Sequence, residues 1–214
     1  MKSCIIMVSV LATVCCGSAR ADVIYDLYFR VPGLGDGVDT TFDVSPGQSF
    51  TGVEAVLRET ITGDSQSALA VSTINGFGIN IAVTGSNGSV SGKVTNTTGG
   101  NAADSDSPTT FGYFSFAGGM PPSADVGGVR EVILGTLDFT APTIGATTFA
   151  LVDPNPAIAG DITTFAGPGA AGIESVGTFN TRSITLQAVP EPGALLTLTF
   201  TSAFVFFRRR HSHV

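Results

Sequence analysis

Three aspartates close together in the sequence are the first side chains that could do chemistry. Asp36, Asp39 and Asp43 lie within a segment of eight residues. Carboxylate oxygens of this kind are the ligands that calcium prefers. The segment lacks the twelve-residue spacing of an EF-hand with its closing glutamate, and the same Asp and Gly residues are typical of turns. The sequence therefore leaves calcium binding and simple turn formation as two interpretations.

Nucleophilic and metal chemistry is restricted by the positions of histidine. The two histidines, His211 and His213, both follow residue 210. A Ser-His-Asp triad and a histidine metal site are therefore excluded from residues 22–189. Paired carboxylates could still cleave a glycosidic bond, but we expect the acidic residues near predicted strands to be solvated and the protein not to be an enzyme. These acidic residues are Asp26, Glu54, Glu59, Glu131, Asp138 and Glu174.

A flat aromatic platform for sugar binding would have to come from tyrosine or phenylalanine, because the chain has no tryptophan. The three tyrosines are Tyr25, Tyr28 and Tyr113. Tyr25 and Tyr28 are three positions apart, so on a flat strand they point to opposite faces. At most one of this pair is expected to face solvent, and the sequence favours half-buried core tyrosines.

The N-terminal segment has the pattern of a secretion signal. Lys2 precedes an apolar run over residues 3–16, and Ala19-Arg20-Ala21 matches the small-x-small pattern of a signal-peptidase site. Cleavage is predicted after Ala21, which makes residues 1–21 the signal peptide. All three cysteines lie in this segment. The exported protein is therefore predicted to have no disulfide, zinc–thiolate site or cysteine nucleophile.

The remaining body of the protein is strongly acidic. Residues 22–189 have 16 acidic and five basic side chains, which gives a net charge of −11. Such a charge argues against nucleic acid and anionic lipid as partners of the body. It suits solubility outside the cell, and calcium binding is the other interpretation. No other cofactor is expected.

Residues 189–210 combine three physical elements in a fixed order. The motif Val189-Pro190-Glu191-Pro192 cannot form a helix interior or the centre of a sheet, so it is predicted to be an extended segment that a processing enzyme can grip. Residues 194–207 are an apolar run predicted to insert into a membrane as a helix. Arg208-Arg209-Arg210 follows as a cytoplasmic stop. The run gives roughly 21 Å of helix against roughly 30 Å of hydrocarbon, which favours a tail destined for removal.

This order resembles the PEP-CTERM sorting tail of Gram-negative-type bacteria that secrete extracellular polysaccharide. The resemblance covers about the last tenth of the chain. It implies that an exosortase-type enzyme cleaves the tail near Pro190-Glu191-Pro192. It also implies an exported protein that passes through an inner-membrane intermediate and then reaches the cell surface or the extracellular space.

Residues 22–188 are predicted to form one all-β domain between the signal helix and the transmembrane helix. Low charge, abundant Gly and Thr, and turn residues at short intervals predict about nine strands in a single antiparallel β-sandwich. Phe77, Ile79, Ile81 and Val83 alternate along one strand and share a face. Asn87-Gly88 predicts a hairpin from that strand to residues 90–94. Residues 179–186 are predicted to be one last strand, and residues 68–74 either a strand or one helical turn.

The body is similar to the cohesin and carbohydrate-binding sandwich superfamily. A Ser45-Pro46-Gly47 turn precedes an alternating strand, and Phe77-Gly78-Ile79 follows a glycine. Leu134-Gly135-Thr136-Leu137-Asp138-Phe139 leads to a glycine turn at Gly145. The resemblance implies a cohesin-like sandwich, and that fold hosts many roles.

Three hypotheses about function follow. The first is a non-enzymatic structural or adhesive protein of the cell surface or polysaccharide matrix. Its partners would be signal peptidase, an exosortase-type enzyme, the membrane through its tail, and extracellular polysaccharide, with no nucleic acid. The second is a secreted carbohydrate-binding module or carbohydrate-active enzyme on the same fold. The third is a surface protein whose tail stays uncut as a permanent anchor.

Overall fold

The computed structural model describes residues 22–63, 67–98, 107–114, 119–154, 163–165, 172–173 and 177–190. The predicted signal peptide and the predicted membrane segment lie outside these residues. Within them the chain is mostly β-strand, and its one α-helix has four residues. The elements are β1 (Val23–Val31), β2 (Gly35–Gly37), β3 (Thr40–Val44), β4 (Ser49–Ile61), α1 (Ala68–Val71), β5 (Ile74–Gly85), β6 (Ser89–Thr95), β7 (Thr110–Phe114), β8 (Val129–Thr140), β9 (Ala146–Val152), β10 (Thr163–Phe165), β11 (Thr178–Thr181) and β12 (Ser183–Ala188).

The strands form two six-stranded sheets, which confirms the all-β prediction. The first sheet has the order β11-β1-β4-β8-β6, with β2 also paired to β1; the second has the order β10-β5-β9-β12-β3, with β7 also paired to β5. Most pairs are antiparallel, but β11 runs parallel to β1 and β3 runs parallel to β12. The prediction of a purely antiparallel fold is therefore wrong, because both sheets are mixed. The described residues form twelve strands where about nine were predicted.

The two sheets bury one continuous hydrophobic core. Phe139 of the first sheet stacks on Phe149 of the second with ring centroids 4.1 Å apart, and Phe29 meets Phe139 edge-on at 4.9 Å. The predicted apolar face of β5 packs in the same core, as does the inward face of β1. The residues on these two faces are Phe77, Ile79, Ile81 and Val83 on β5 and Tyr25, Leu27, Phe29 and Val31 on β1. Each sheet thus presents one apolar face to the other, which fits a β-sandwich.

The predicted hairpin at Asn87-Gly88 is wrong, because this turn carries the chain from one sheet to the other. β5 pairs with strands of the second sheet, whereas β6 pairs with β8 of the first. A two-residue type I′ hairpin needs a positive φ at both central residues, and Asp39 is the only non-glycine residue of the described ranges with a positive φ. The Asn87 side chain instead donates to Thr143 Oγ1 at 2.9 Å and accepts from the Thr143 N–H at 3.0 Å.

The last predicted strand is divided at Arg182 into two strands that lie in different sheets. β11 pairs with β1 in the first sheet, and β12 lies between β9 and β3 in the second. The Arg182 N–H donates to the Leu27 carbonyl at 2.9 Å, and its guanidinium contacts Asp26 at 2.8 Å and Asp39 at 3.1 Å. These contacts hold the crossing point between the two sheets.

Candidate functional site

The last described backbone hydrogen bonds of the fold lie at the start of the predicted sorting motif. The Ala188 N–H donates to the Gly145 carbonyl at 2.9 Å, and the Val189 N–H donates to the Val44 carbonyl at 3.0 Å. Pro190 has no N–H with which to continue this pairing, and it is exposed. Glu191 and Pro192 lie outside the described residues, as do residues 194–207, Arg208, Arg209 and Arg210, and the predicted signal-peptidase positions Ala19 and Ala21. None of the helices in the described part of the chain has the length and apolar character that crossing a membrane requires.

Two of the three candidate calcium ligands, Asp36 and Asp39, bind protein groups. Asp36 accepts from Arg30 Nε at 2.7 Å and also pairs with Arg58. Asp39 accepts from the Ser183 N–H at 3.0 Å, while Asp43 is exposed on β3. Among the described residues, no three His, Cys, Asp or Glu side chains form a group that could hold a metal ion. Asp36 lies on β2 and Asp43 on β3, and Asp39 lies between these strands with a φ of 50°.

Several arginine and carboxylate side chains meet on the outer face of the first sheet. We call this group the arginine–carboxylate cluster, and it surrounds a fully buried tyrosine. Arg30 Nη2 lies 2.8 Å from Glu131 Oε2, and Arg58 Nη2 lies 2.8 Å from Glu131 Oε1. The members are Tyr28, Arg30, Asp36, Glu54, Arg58 and Glu131.

Tyr28 is covered by the two arginines of the cluster. Its hydroxyl donates to Glu131 Oε1 at 3.0 Å and accepts from Arg30 Nη2 at 2.9 Å. The guanidinium of Arg58 lies over its ring, 4.6 Å from the centroid, at a distance typical of a cation–π contact. Tyr28 therefore has 0% exposure although it points away from the hydrophobic core.

The cluster holds Asp36 and Glu131 ionised and the phenol of Tyr28 protonated, because it shifts the pKa of each group. Burial alone would raise the pKa of Glu131 and of Asp36, but hydrogen bonds from Arg30 and Arg58 outweigh burial and hold both pKa values below the ordinary carboxyl range. Burial raises the pKa of Tyr28, and the hydrogen bond to Glu131 adds to that rise against the charge of Arg58. The general acid of a glycosidase needs a raised pKa, so that it keeps its proton near neutral pH. The pKa values of Glu131 and Asp36 are lowered instead.

Acid is expected to weaken the fold by protonating this cluster. The ordinary pKa values are 3.8 for Asp36 and 4.5 for Glu131, and both are lowered in the folded state. A lowered folded-state pKa contributes stability above the unfolded value, and that stability is lost as pH falls through the folded value. Urea unfolding midpoints should therefore decrease below about pH 5. In the Asp36→Asn/Glu131→Gln double variant, the urea midpoint should depend less steeply on pH. A slope identical to that of the unchanged protein would show that the cluster is not the source of the acid sensitivity.

Glu59 is buried, so the expectation that it lies on a solvated strand face is wrong. It faces the core beside Tyr25, at the end of β4 that leads to α1. The Glu59 carboxylate accepts hydrogen bonds from the Tyr25 hydroxyl at 2.9 Å, from the Ala68 N–H at 3.0 Å and from the Leu69 N–H at 3.2 Å. Ser67 donates to the same carboxylate and also accepts from the Ala70 N–H as the N-cap of α1. Glu59 thus fixes the single helical turn, one of the two structures predicted for residues 68–74.

No tyrosine offers a flat platform to solvent. Tyr25, Tyr28 and Tyr113 are 0%, 0% and 3% exposed, so all three are more buried than expected. Tyr25 and Tyr28 do point to opposite faces of β1, as predicted, because only Tyr25 belongs to the core between the sheets. An open recess of about 300 Å³ lies near one end of the domain, and it contains no charged side chain. Its lining residues are Pro32, Gly33, Leu34, Gln48, Ser49, Phe50 and Thr51.

The five basic side chains of residues 22–189 all contact acceptors. Four are arginines, and each forms at least one ion pair with a carboxylate: Arg30, Arg58, Arg130 and Arg182. Lys93 donates to the Thr110 carbonyl at 2.8 Å. These cations are thus engaged within the fold.

Two comparisons with known proteins found no match. No protein-family model matches the chain, and no curated protein matches it. The function must therefore be argued from the two ends of the domain and from its surface.

Proposed function

We propose that this protein is an exported, non-enzymatic component of the cell surface or extracellular matrix with a structural or adhesive role. An exosortase-type enzyme removes its tail after the chain has passed through an inner-membrane intermediate. The body is a cohesin-like β-sandwich. The observation that supports this proposal best is the position of Val189, whose N–H makes the last described backbone hydrogen bond of the fold, one residue before Pro190.

This position matters because cleavage beyond Val189 leaves the domain intact. β12 lies between β9 and β3 and is paired on both sides, so a cut within it would remove part of the second sheet. A cut next to Pro190-Glu191-Pro192 touches no described strand. The predicted processing motif therefore begins directly after the last described strand.

The carbohydrate hypothesis gains no support from the described surface. The tyrosines are buried, and the pKa values of Asp36 and Glu131 are lowered. Extracellular polysaccharide remains a proposed partner through matrix assembly rather than through an aromatic groove.

Intact mass of the exported protein tests the proposal directly. We expect the mature form to lack residues 1–21 and everything after about Glu191. Replacing Pro190 and Pro192 by alanine should leave the tail attached, because the extended segment that the enzyme grips would be altered. A Pro142→Ala variant, which changes a proline of a nearby loop, serves as the control. Mature protein that retains Arg208-Arg209-Arg210 would refute the sorting proposal and favour a permanent anchor.

A further inference from the structure

The chain leaves the domain at one end, which four short segments form together. We call it the tail-exit end, and it consists of residues 45–48, 86–88, 141–145 and 189–190. The Gly47 N–H donates to the Pro142 carbonyl at 3.1 Å, and the Ala188 N–H donates to the Gly145 carbonyl at 2.9 Å. Asn87 bonds both the side chain and the N–H of Thr143. These hydrogen bonds show that the four segments lie side by side.

The tail-exit end carries no charge. None of its four segments contains Asp, Glu, Lys or Arg. Several of its exposed residues are apolar, and Ile144 at the tip of the β8–β9 loop is 76% exposed. Pro46, Val189 and Pro190 are exposed as well. Among described residues, the charged side chain closest in sequence to these segments is Asp43, within β3.

The opposite end of the sheets is acidic. There, Val23 pairs with Ile61, Val129 pairs with Thr60 and Thr178 pairs with Ile24. The described residues that precede, follow or join strands at this end include three acidic residues, Asp22, Asp125 and Asp153, and no basic one. The side chain of Asp125 is 42% exposed and pairs with Arg130 of β8 at 3.4 Å. The described segments of this end therefore contain acidic side chains, whereas those of the tail-exit end contain none.

The tail is too short to hold the domain away from a membrane. Five Cα–Cα steps separate Val189 from Ala194, the first residue of the apolar run, and they span at most roughly 17 Å. The headgroup layer itself occupies about 5–8 Å on each side of the hydrocarbon. Anionic headgroups repel acidic protein surface over a Debye length of about 8 Å at physiological salt. An uncharged end therefore approaches them at lower cost than an acidic one.

We propose that, before the tail is removed, the tail-exit end lies against the surface of the same membrane that holds the tail, with the acidic end directed away. This inference rests on the proposed function, because it requires an inserted tail. The occupant of the surface is the lipid headgroup layer, and Ile144 is the side chain placed to contact it. The contact is lost on cleavage, which frees the domain from the membrane.

Two residues of matched exposure make the test sharp. Ile144 is 76% exposed and Val126 is 77% exposed, and they flank opposite ends of β8, which at about 3.3 Å per residue spans roughly 40 Å. The chain without its predicted signal peptide, residues 22–214, contains no cysteine of its own. It receives one cysteine at either position and a fluorophore on it. Each protein is reconstituted into phosphatidylcholine–phosphatidylglycerol vesicles with nitroxide-labelled headgroups. Pro46→Cys is a second reporter at the tail-exit end, in case Ile144→Cys misfolds.

We expect fluorescence loss at positions 144 and 46 and none at position 126. Equal loss at both ends, or greater loss at position 126, would overturn the orientation. Fluorophores at position 144 that self-quench without vesicles would show that a second copy covers this end, which also overturns it. Flotation separates the two proposals: a chain that does not float with vesicles contradicts the inserted tail, whereas a chain that floats without loss at positions 144 and 46 contradicts only the orientation.

Discussion

Replacing Glu59 by alanine is expected to lower the free energy of unfolding by about 3 kcal/mol, because several buried donors lose their acceptor at once. The Tyr25 hydroxyl and the N–H groups of Ala68 and Leu69 all donate to this carboxylate. Without it, these three groups lose their shared acceptor, and the turn α1 loses its connection to β4. Urea unfolding followed by circular dichroism measures the change.

Glu54 provides the matched control for Glu59, since both glutamates lie on β4. Glu54 is partly exposed and makes one ion pair, with Arg30 at 3.4 Å, so Glu54→Ala should cost less than about 1 kcal/mol. Equal destabilisation by the two variants would contradict the structural role assigned to Glu59.

Replacing Phe139 by alanine should cost about 4 kcal/mol, the range expected for deleting a buried aromatic ring. Phe139 touches Phe29 of its own sheet and Phe149 of the opposite sheet, so its loss opens a cavity between the two layers. Phe179→Ala is the control, because Phe179 on β11 is only partly buried. Thermal and urea unfolding should both show the difference. A small effect at Phe139 would mean that the two sheets do not share one tightly packed core.

The positions of the strands could be predicted from the sequence better than the pairing between them could. Alternation located β5 and its inward face, because burial of one face imposes a period of two residues. Pairing follows from long-range contacts that local pattern does not encode. The Asn87-Gly88 pair is typical of a hairpin turn, yet the Asn87 side chain binds Thr143, which lies 56 residues further along the chain.

The arginine–carboxylate cluster was missed for a similar reason. Arg30 and Glu131 are 101 residues apart, and they lie on β1 and β8, which are separated by β4 in the sheet. The available signal was the outward register of β1 and β4, on which Arg30, Glu54 and Arg58 alternate with apolar residues. That register identifies which side chains share a face, but not which of them meet. The buried state of Glu59 had no such signal, because its donors come from Tyr25 on β1 and from the chain that follows β4.

The position of β12 has a mechanical consequence for a tethered protein. The tail continues from a strand that is paired with β9 on one side and β3 on the other. A pull on the tail along the strand axis would strain both rows of hydrogen bonds simultaneously, instead of unzipping them one after another as it would for a strand peeled from an edge. A domain held through such a strand should therefore withstand tension applied at its C-terminal end for as long as the tail is attached.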